Sequence, residues 1–298
     1  MLFVVVLIDV GGWSTISPQL PQDAFRLIPL DNSAERWLNY LRMWLIFGLA
    51  DIPSQTLLGR AMAAKSERVA QNSFYLASGG YFLFAMIPVT LGIIASVTMP
   101  GLEDSESVIP TLAIAHLHPV AVAIFVGAIL AAIMSTCDSA MLSVASLISR
   151  NILPLVRRAP SDKLSLLVAR ASIPVTALIG IAVALEAQQV YDVIVDANIL
   201  ALTATTVPFL LSIWWKKATR IGALAAMAAG FATWLISRSL APEMPGDLFG
   251  LGVCLVTIVV VSLATQRIDP PRPVRDLDGN KVELTDRLGT LGFRRAVS

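Results

Sequence analysis

HPVAVAIFVGAILAAIMSTCDSAMLSVASLISRNIL, residues 118–153, decides how this chain is read. A helix needs about 20 apolar residues to cross some 30 Å of hydrocarbon, and this run is longer, so as one helix it tilts or protrudes. At about 100° per residue, Ala128, Ala132, Ser135, Ser139, Ser143 and Ser146 fall on one stripe, with Thr136 and Asp138 at its edges. Small residues let helices approach closely and hydroxyls bond across the contact, so a packing seam is one reading of the stripe. Asp138 fits that reading less well, because an acid in a membrane helix is costly and faces a partner, water or an ion path. The hydroxyl pair Ser135 and Thr136 supplies the oxygen ligands that hard cations prefer, without burying net charge.

The rest of the chain agrees with a membrane as solvent. Of 298 residues, 56% are hydrophobic and 14% charged, against about 25% charged in soluble domains. Mean hydropathy is +0.73. Apolar blocks cover roughly 1–17, 37–59, 74–99, 119–149, 166–187, 190–215, 220–240 and 246–265. A backbone in lipid satisfies its own hydrogen bonds, so the sequence predicts an all-α integral membrane protein with about eight transmembrane helices. From 266 to 298 the chain is polar and charged and reads as a mobile tail. The N-terminus, MLFVVVLIDVGGW, has neither a positive n-region nor a small-residue cleavage site and reads as a membrane helix lacking its front end.

Charge placement sets the orientation. Alternate connections hold Arg60, Lys65 and Arg68, then Arg150, Arg157, Arg158, Lys163 and Arg170, then Lys216, Lys217 and Arg220, then seven more in the tail. That is 18 of the 22 basic residues, and cytoplasmic loops carry such an excess. Both termini are therefore expected in the cytoplasm of a multi-pass protein of the plasma (inner) membrane. A net charge of +1 excludes the basic balance of a nucleic-acid binder. Cys137 and Cys254 have no disulfide or metal spacing, and His116 and His118 lack the neighbours of a zinc site. With no HExxH, no GxSxG and no facing carboxylate pair in one span, the chain is not expected to be an enzyme.

Three other blocks depart from a plain apolar rod. In WLNYLRMWLIFGLADIPSQTLLGR, residues 37–60, Pro53 follows Asp51 and precedes Gln55, and proline removes a backbone donor and crowds the preceding turn. The segment is either a broken helix lining a cavity or a helix ending at Ala50 with a polar loop beyond. The run TATT, residues 203–206, reads by default as hydroxyls bonded to their own helix. Gly222 to Gly230 is dense in Gly and Ala, which favours close helix packing.

DIPSQTLLGRAMAAKS (51–66), GAILAAIMSTCDSAMLSVASLISRNIL (127–153) and WWKKATRIGALAAMAAG (214–230), in that order and spacing, resemble the sodium/solute symporter family of sodium/proline and sodium/glucose cotransporters. AAIMST followed by a D-S pair is the most specific part, while Gln55 to Arg60 resembles a Q-x-x-x-R region with one residue's difference in spacing. The resemblance covers residues 1–265 and implies a partial leucine-transporter fold of two inverted five-helix repeats. It makes 1–17 the last helix of the first repeat, 37–215 the second repeat, 220–265 two additional helices and 266–298 a cytoplasmic tail. It further implies a sodium half-site at Ala132, through its carbonyl, and at Ser135 and Thr136, with Asp138 and Ser139 as adjacent candidates. The second-repeat helix would unwind near Ile46 to Ala50, leaving Asp51 and Gln55 beside the substrate pathway. The expected activity is sodium-coupled symport of a small organic solute, with sodium as coupling ion and lipid as surroundings. Most of the first repeat would precede Met1, so the implied protein is either truncated or completed by missing N-terminal helices on another chain. The alternative is a non-transporting remnant or a regulatory membrane subunit.

Overall fold

The computed structural model describes residues 1–21, 24–102, 104–187, 189–240 and 245–271, and among them every regular element is helical. The helices are α1 (Leu2–Asp9), α2 (Trp13–Ile16), α3 (Ala34–Leu49), α4 (Gln55–Met62), α5 (Glu67–Thr98), α6 (Val108–His116) and α7 (Pro119–Leu147). They continue with α8 (Leu153–Val156), α9 (Asp162–Glu186), α10 (Val190–Ala201), α11 (Val207–Trp214), α12 (Arg220–Leu240) and α13 (Gly246–Thr265). Two π-helical turns, Ile148–Ile152 and Leu202–Thr206, join α7 to α8 and α10 to α11.

Six helices among the described residues are long and apolar enough to cross a membrane: Glu67–Thr98, Pro119–Val156, Asp162–Glu186, Val190–Trp214, Arg220–Leu240 and Gly246–Thr265. The first apolar block forms a pair, Leu2–Asp9 and Trp13–Gln19, bent by 58°. The bend is made by Gly11 and Gly12, at φ +84° and +85°, a backbone region that a Cβ disfavours. The block at 37–59 divides into α3, of 16 residues, and α4, of 8. The tail expected from 266 lies outside the described residues from 272 onward.

α3 corrects one expectation. The chain stays helical through Leu49 instead of unwinding from Ile46, because Ile46 and Ala50 are buried against Ile199 and Leu202. The break falls at 51–54, where Pro53 cannot donate and disfavours helical backbone at Ile52, and Ser54 N–H bonds the Asp51 carbonyl.

The chain forms two compact units. In the first, Met1–Asp31 with Gln55–Val193, Leu2, Val6 and Ile16 pack with Leu91, Ile94, Ala95, Leu112 and Ala113. α6 is tied at both ends: Glu106 accepts the Val190 and Tyr191 amides at 3.0 and 2.7 Å, and His116 Nδ1 lies 3.0 Å from Asp9 Oδ2. α7 packs on α9, and much apolar surface faces outward, as in Phe82 and Leu185. Lipid is the solvent such a surface requires.

The second unit, Asn32–Ser54 with the described residues from Ile194 on, is built on α12 against α13. A Cβ on Gly230 would stand 2.1 Å from the Thr203 carbonyl oxygen and 2.9 Å from Cys254 Cβ, so the helices meet only because that side chain is missing. This is the close packing expected of the Gly/Ala run. The threonines also behave as expected: Thr203 bonds the Ile199 carbonyl, and Thr205 and Thr206 both bond that of Ala201. Arg42 on α3 donates from Nε to Asp247 at the start of α13, and the Asp247 side chain is fully buried.

Candidate functional site

α7 begins where Pro119, preorganised for a first helical turn, follows His118, whose ring nitrogen accepts the Val120 amide at 3.4 Å. The helix then runs unbroken for 29 residues and carries the polar stripe along its length. Ala128, Ala132, Ser135, Thr136 and Asp138 are exposed on this chain, while Ser139 and Ser143 are half-buried. A seam formed within the chain is thus limited to Ser139 and Ser143, since Ser146 beyond them is exposed.

The hydroxyls are already oriented. Thr136 donates to the Ala132 carbonyl at 3.0 Å, Ser139 to that of Ser135 at 3.0 Å and Ser143 to that of Ser139 at 2.8 Å. In a helix the Ala132 carbonyl also receives the Thr136 amide, so its two lone pairs are both in use. Ser135 Oγ makes no hydrogen bond to a described residue, and Asp138 pairs with none. Two hydroxyl oxygens and a carbonyl, spaced over one turn of one helix, are the oxygen type that hard cations prefer as ligands. For the Ala132 carbonyl to take a cation, the Thr136 hydroxyl must turn away from it, which leaves the Thr136 oxygen facing the same ion.

Asp51 lies exposed in the turn after α3, and Gln55, also exposed, opens α4, which touches α7. α3 adds a feature that sequence reading missed. Tyr40, Met43, Trp44, Phe47 and Gly48 line an open, apolar groove of about 380 Å³. Tyr40 stands edge to face with Trp44 in the groove and with Trp37 before it, with centroids 6.2 and 5.8 Å apart. The signal was present as aromatics at 37, 40, 44 and 47, a helical spacing of three and four. The Arg42–Asp247 pair and the Glu106 contact to the start of α10 were missed as well.

Comparison with known proteins places these residues in context. The profile of the family described as "Sodium:solute symporter family" matches residues 1–230. The High-affinity choline transporter 1 of Drosophila melanogaster is 31% identical over 169 positions, covering 53% of this chain and 27% of that protein. A Sodium/proline symporter of Staphylococcus aureus is 24% identical over 299 positions, covering 95% of this chain and 58% of that protein. The corresponding symporter of Staphylococcus aureus strain Newman is 23% identical and is covered over 57% of its length. The chain thus spans little more than half the length of the symporters it matches.

Proposed function

The chain belongs to the sodium:solute symporter family, and from that premise we propose that it takes part in sodium-coupled symport of a small organic solute across the plasma membrane. The observation that carries the reading is the oxygen-bearing face of α7, placed within the matched residues. Sodium takes the Ala132 carbonyl, Ser135 Oγ and Thr136 Oγ1 as a half-site, with Asp138 and Ser139 beside it. The remaining ligands come from a surface that these three atoms face.

In this reading the architecture is leucine-transporter-like: α1 and α2 close a first repeat, 37–215 form the second, and α12 and α13 follow. Alternating access then lets sodium stabilise one arrangement of the helices and the solute join it. Choline carries a quaternary ammonium and proline a secondary one, and both suit an aromatic wall through cation–π attraction. We assign the groove on α3 to that wall and the cationic nitrogen to the solute, with Asp51, in the turn after α3, along its path. The test is uptake by the purified chain in liposomes under an inward sodium gradient. Accumulation of proline or choline that stops when potassium replaces sodium supports symport, and uptake indifferent to sodium contradicts it.

A second reading, a membrane subunit that does not itself transport, is favoured by the exposure of Ala132, Ser135 and Thr136. Sodium-dependent accumulation of any amino acid, sugar or amine by the chain would contradict it. Both readings share one topology, with both termini cytoplasmic. A cysteine at Ser161, which caps α9 through the Leu164 amide, is expected to resist an impermeant thiol reagent added outside intact cells. Labelling from outside would reverse the orientation.

A further inference from the structure

At one end of the second unit the turn between α11 and α12 meets the end of α13. Thr219 N–H donates to Ser262 Oγ at 3.2 Å, Thr219 Oγ1 and Thr265 Oγ1 lie 2.9 Å apart, and Ile221 N–H donates to Asp269 Oδ2 at 2.9 Å. These bonds bring Lys216, Lys217 and Arg220 to the same end as Arg267, and all four side chains are exposed. None of the four has an acidic partner among the described residues, whereas Arg42 and Arg238 of the same unit are both paired. The one described acid on these two segments, Asp269, is engaged by the first turn of α12.

Two further features distinguish this end from an ordinary charged flank. Gln266 Nε2 is buried and has no acceptor among the described residues, a cost that an incoming oxygen would relieve. Beside the charges, Trp214 is 53% and Ile268 80% exposed, offering an indole and an alkyl surface. Four cations and one buried amide, all without partners among the described residues, ask for a phosphate. Trp214 and Ile268 ask for hydrocarbon attached to it, which a free anion does not bring.

We propose that Lys216, Lys217, Arg220 and Arg267, with the Gln266 amide, form a binding site for the head group of an anionic phospholipid. Lysines and arginines at a membrane surface each contribute to holding such lipids, and basic pockets between helices bind their head groups. Trp214 and Ile268 lie along the glycerol and upper acyl chains, at the depth where amphipathic rings sit. The site is independent of sodium and solute, so it stands or falls apart from the transport reading.

Native mass spectrometry of the purified chain tests it, with dioleoylphosphatidylglycerol and dioleoylphosphatidylcholine titrated separately. The expected result is retention of phosphatidylglycerol at about tenfold lower lipid concentration, a preference abolished in K216Q/K217Q/R267Q and kept in R150Q/R157Q/R158Q. Equal retention of the two lipids by the unaltered chain would overturn the proposal. So would an equal loss in the second triple variant, which would mean bulk charge. Displacement of phosphatidylglycerol by millimolar inorganic phosphate would also overturn it, because the site would then be one for a free anion.

Discussion

Replacing Asp247 by alanine is expected to cost the second unit about 3–5 kcal/mol, the effect of removing one partner from a buried ion pair. The Asp247 side chain has no exposed surface, and its Oδ2 takes the Arg42 Nε proton at 2.5 Å. Arg42 is 28% exposed and stands on the same side of its helix as Ile46 and Ala50, four and eight residues further on, which pack into the unit. Without the carboxylate its guanidinium loses its partner in a setting where water is scarce. The pair also joins α3 to α13 across 205 residues of sequence, so the loss falls on the seating of the helix that carries the aromatic groove. Arg42→Leu with Asp247→Leu, which removes both charges, should recover most of the stability. Folded fraction in an SDS titration, followed by tryptophan fluorescence, measures Asp247→Ala, the double variant, and Arg42→Leu and Asp247→Leu each alone. If the double variant is as unstable as the sum of the singles, the pair is not coupled and the prediction fails.

How far the sequence carried this picture depends on whether a signal was local. The long apolar helices were legible because lipid demands both composition and length, and the boundaries 220–240 and 246–265 coincide with α12 and α13. The proline break was legible too, since Pro53 acts on its immediate neighbours. Its extent was not, because Ile46 stays helical through contacts with Ile199 and Leu202 that come from distant sequence. The Arg42–Asp247 pair was hidden for the same reason, and Asp247 by itself resembles an ordinary acid in a first helical turn. On α7 the residues alone left a seam and a cation site side by side. The structure leaves Ser135 and Thr136 exposed and Ser139 and Ser143 half-buried, which confines a seam within the chain to the second pair. The assignment of sodium to the exposed part comes from resemblance, and for that reason it is the part to test hardest.

Loss of the Thr136 hydroxyl is expected to raise the sodium concentration for half-saturation by about 10–100-fold, since even residues supporting a metal ligand change affinity by that factor. Ser135→Ala should act similarly, while Ser143→Ala, two turns further along and bonded to the Ser139 carbonyl, should leave it nearly unchanged. The contrast matters because a packing seam would make the three serine and threonine variants alike. The chain contains its own reporter. Cys137 follows Thr136 and is exposed, while Cys254 is buried, so a small maleimide distinguishes the two thiols. The direct measurement is the rate of N-ethylmaleimide reaction at Cys137 as sodium replaces potassium at constant ionic strength. Saturable slowing by sodium, shifted to higher concentration by Thr136→Ala and Ser135→Ala but not by Ser143→Ala, is the result predicted. Equal rates in sodium and potassium, or one common shift in all three variants, would contradict a sodium site on this face of α7.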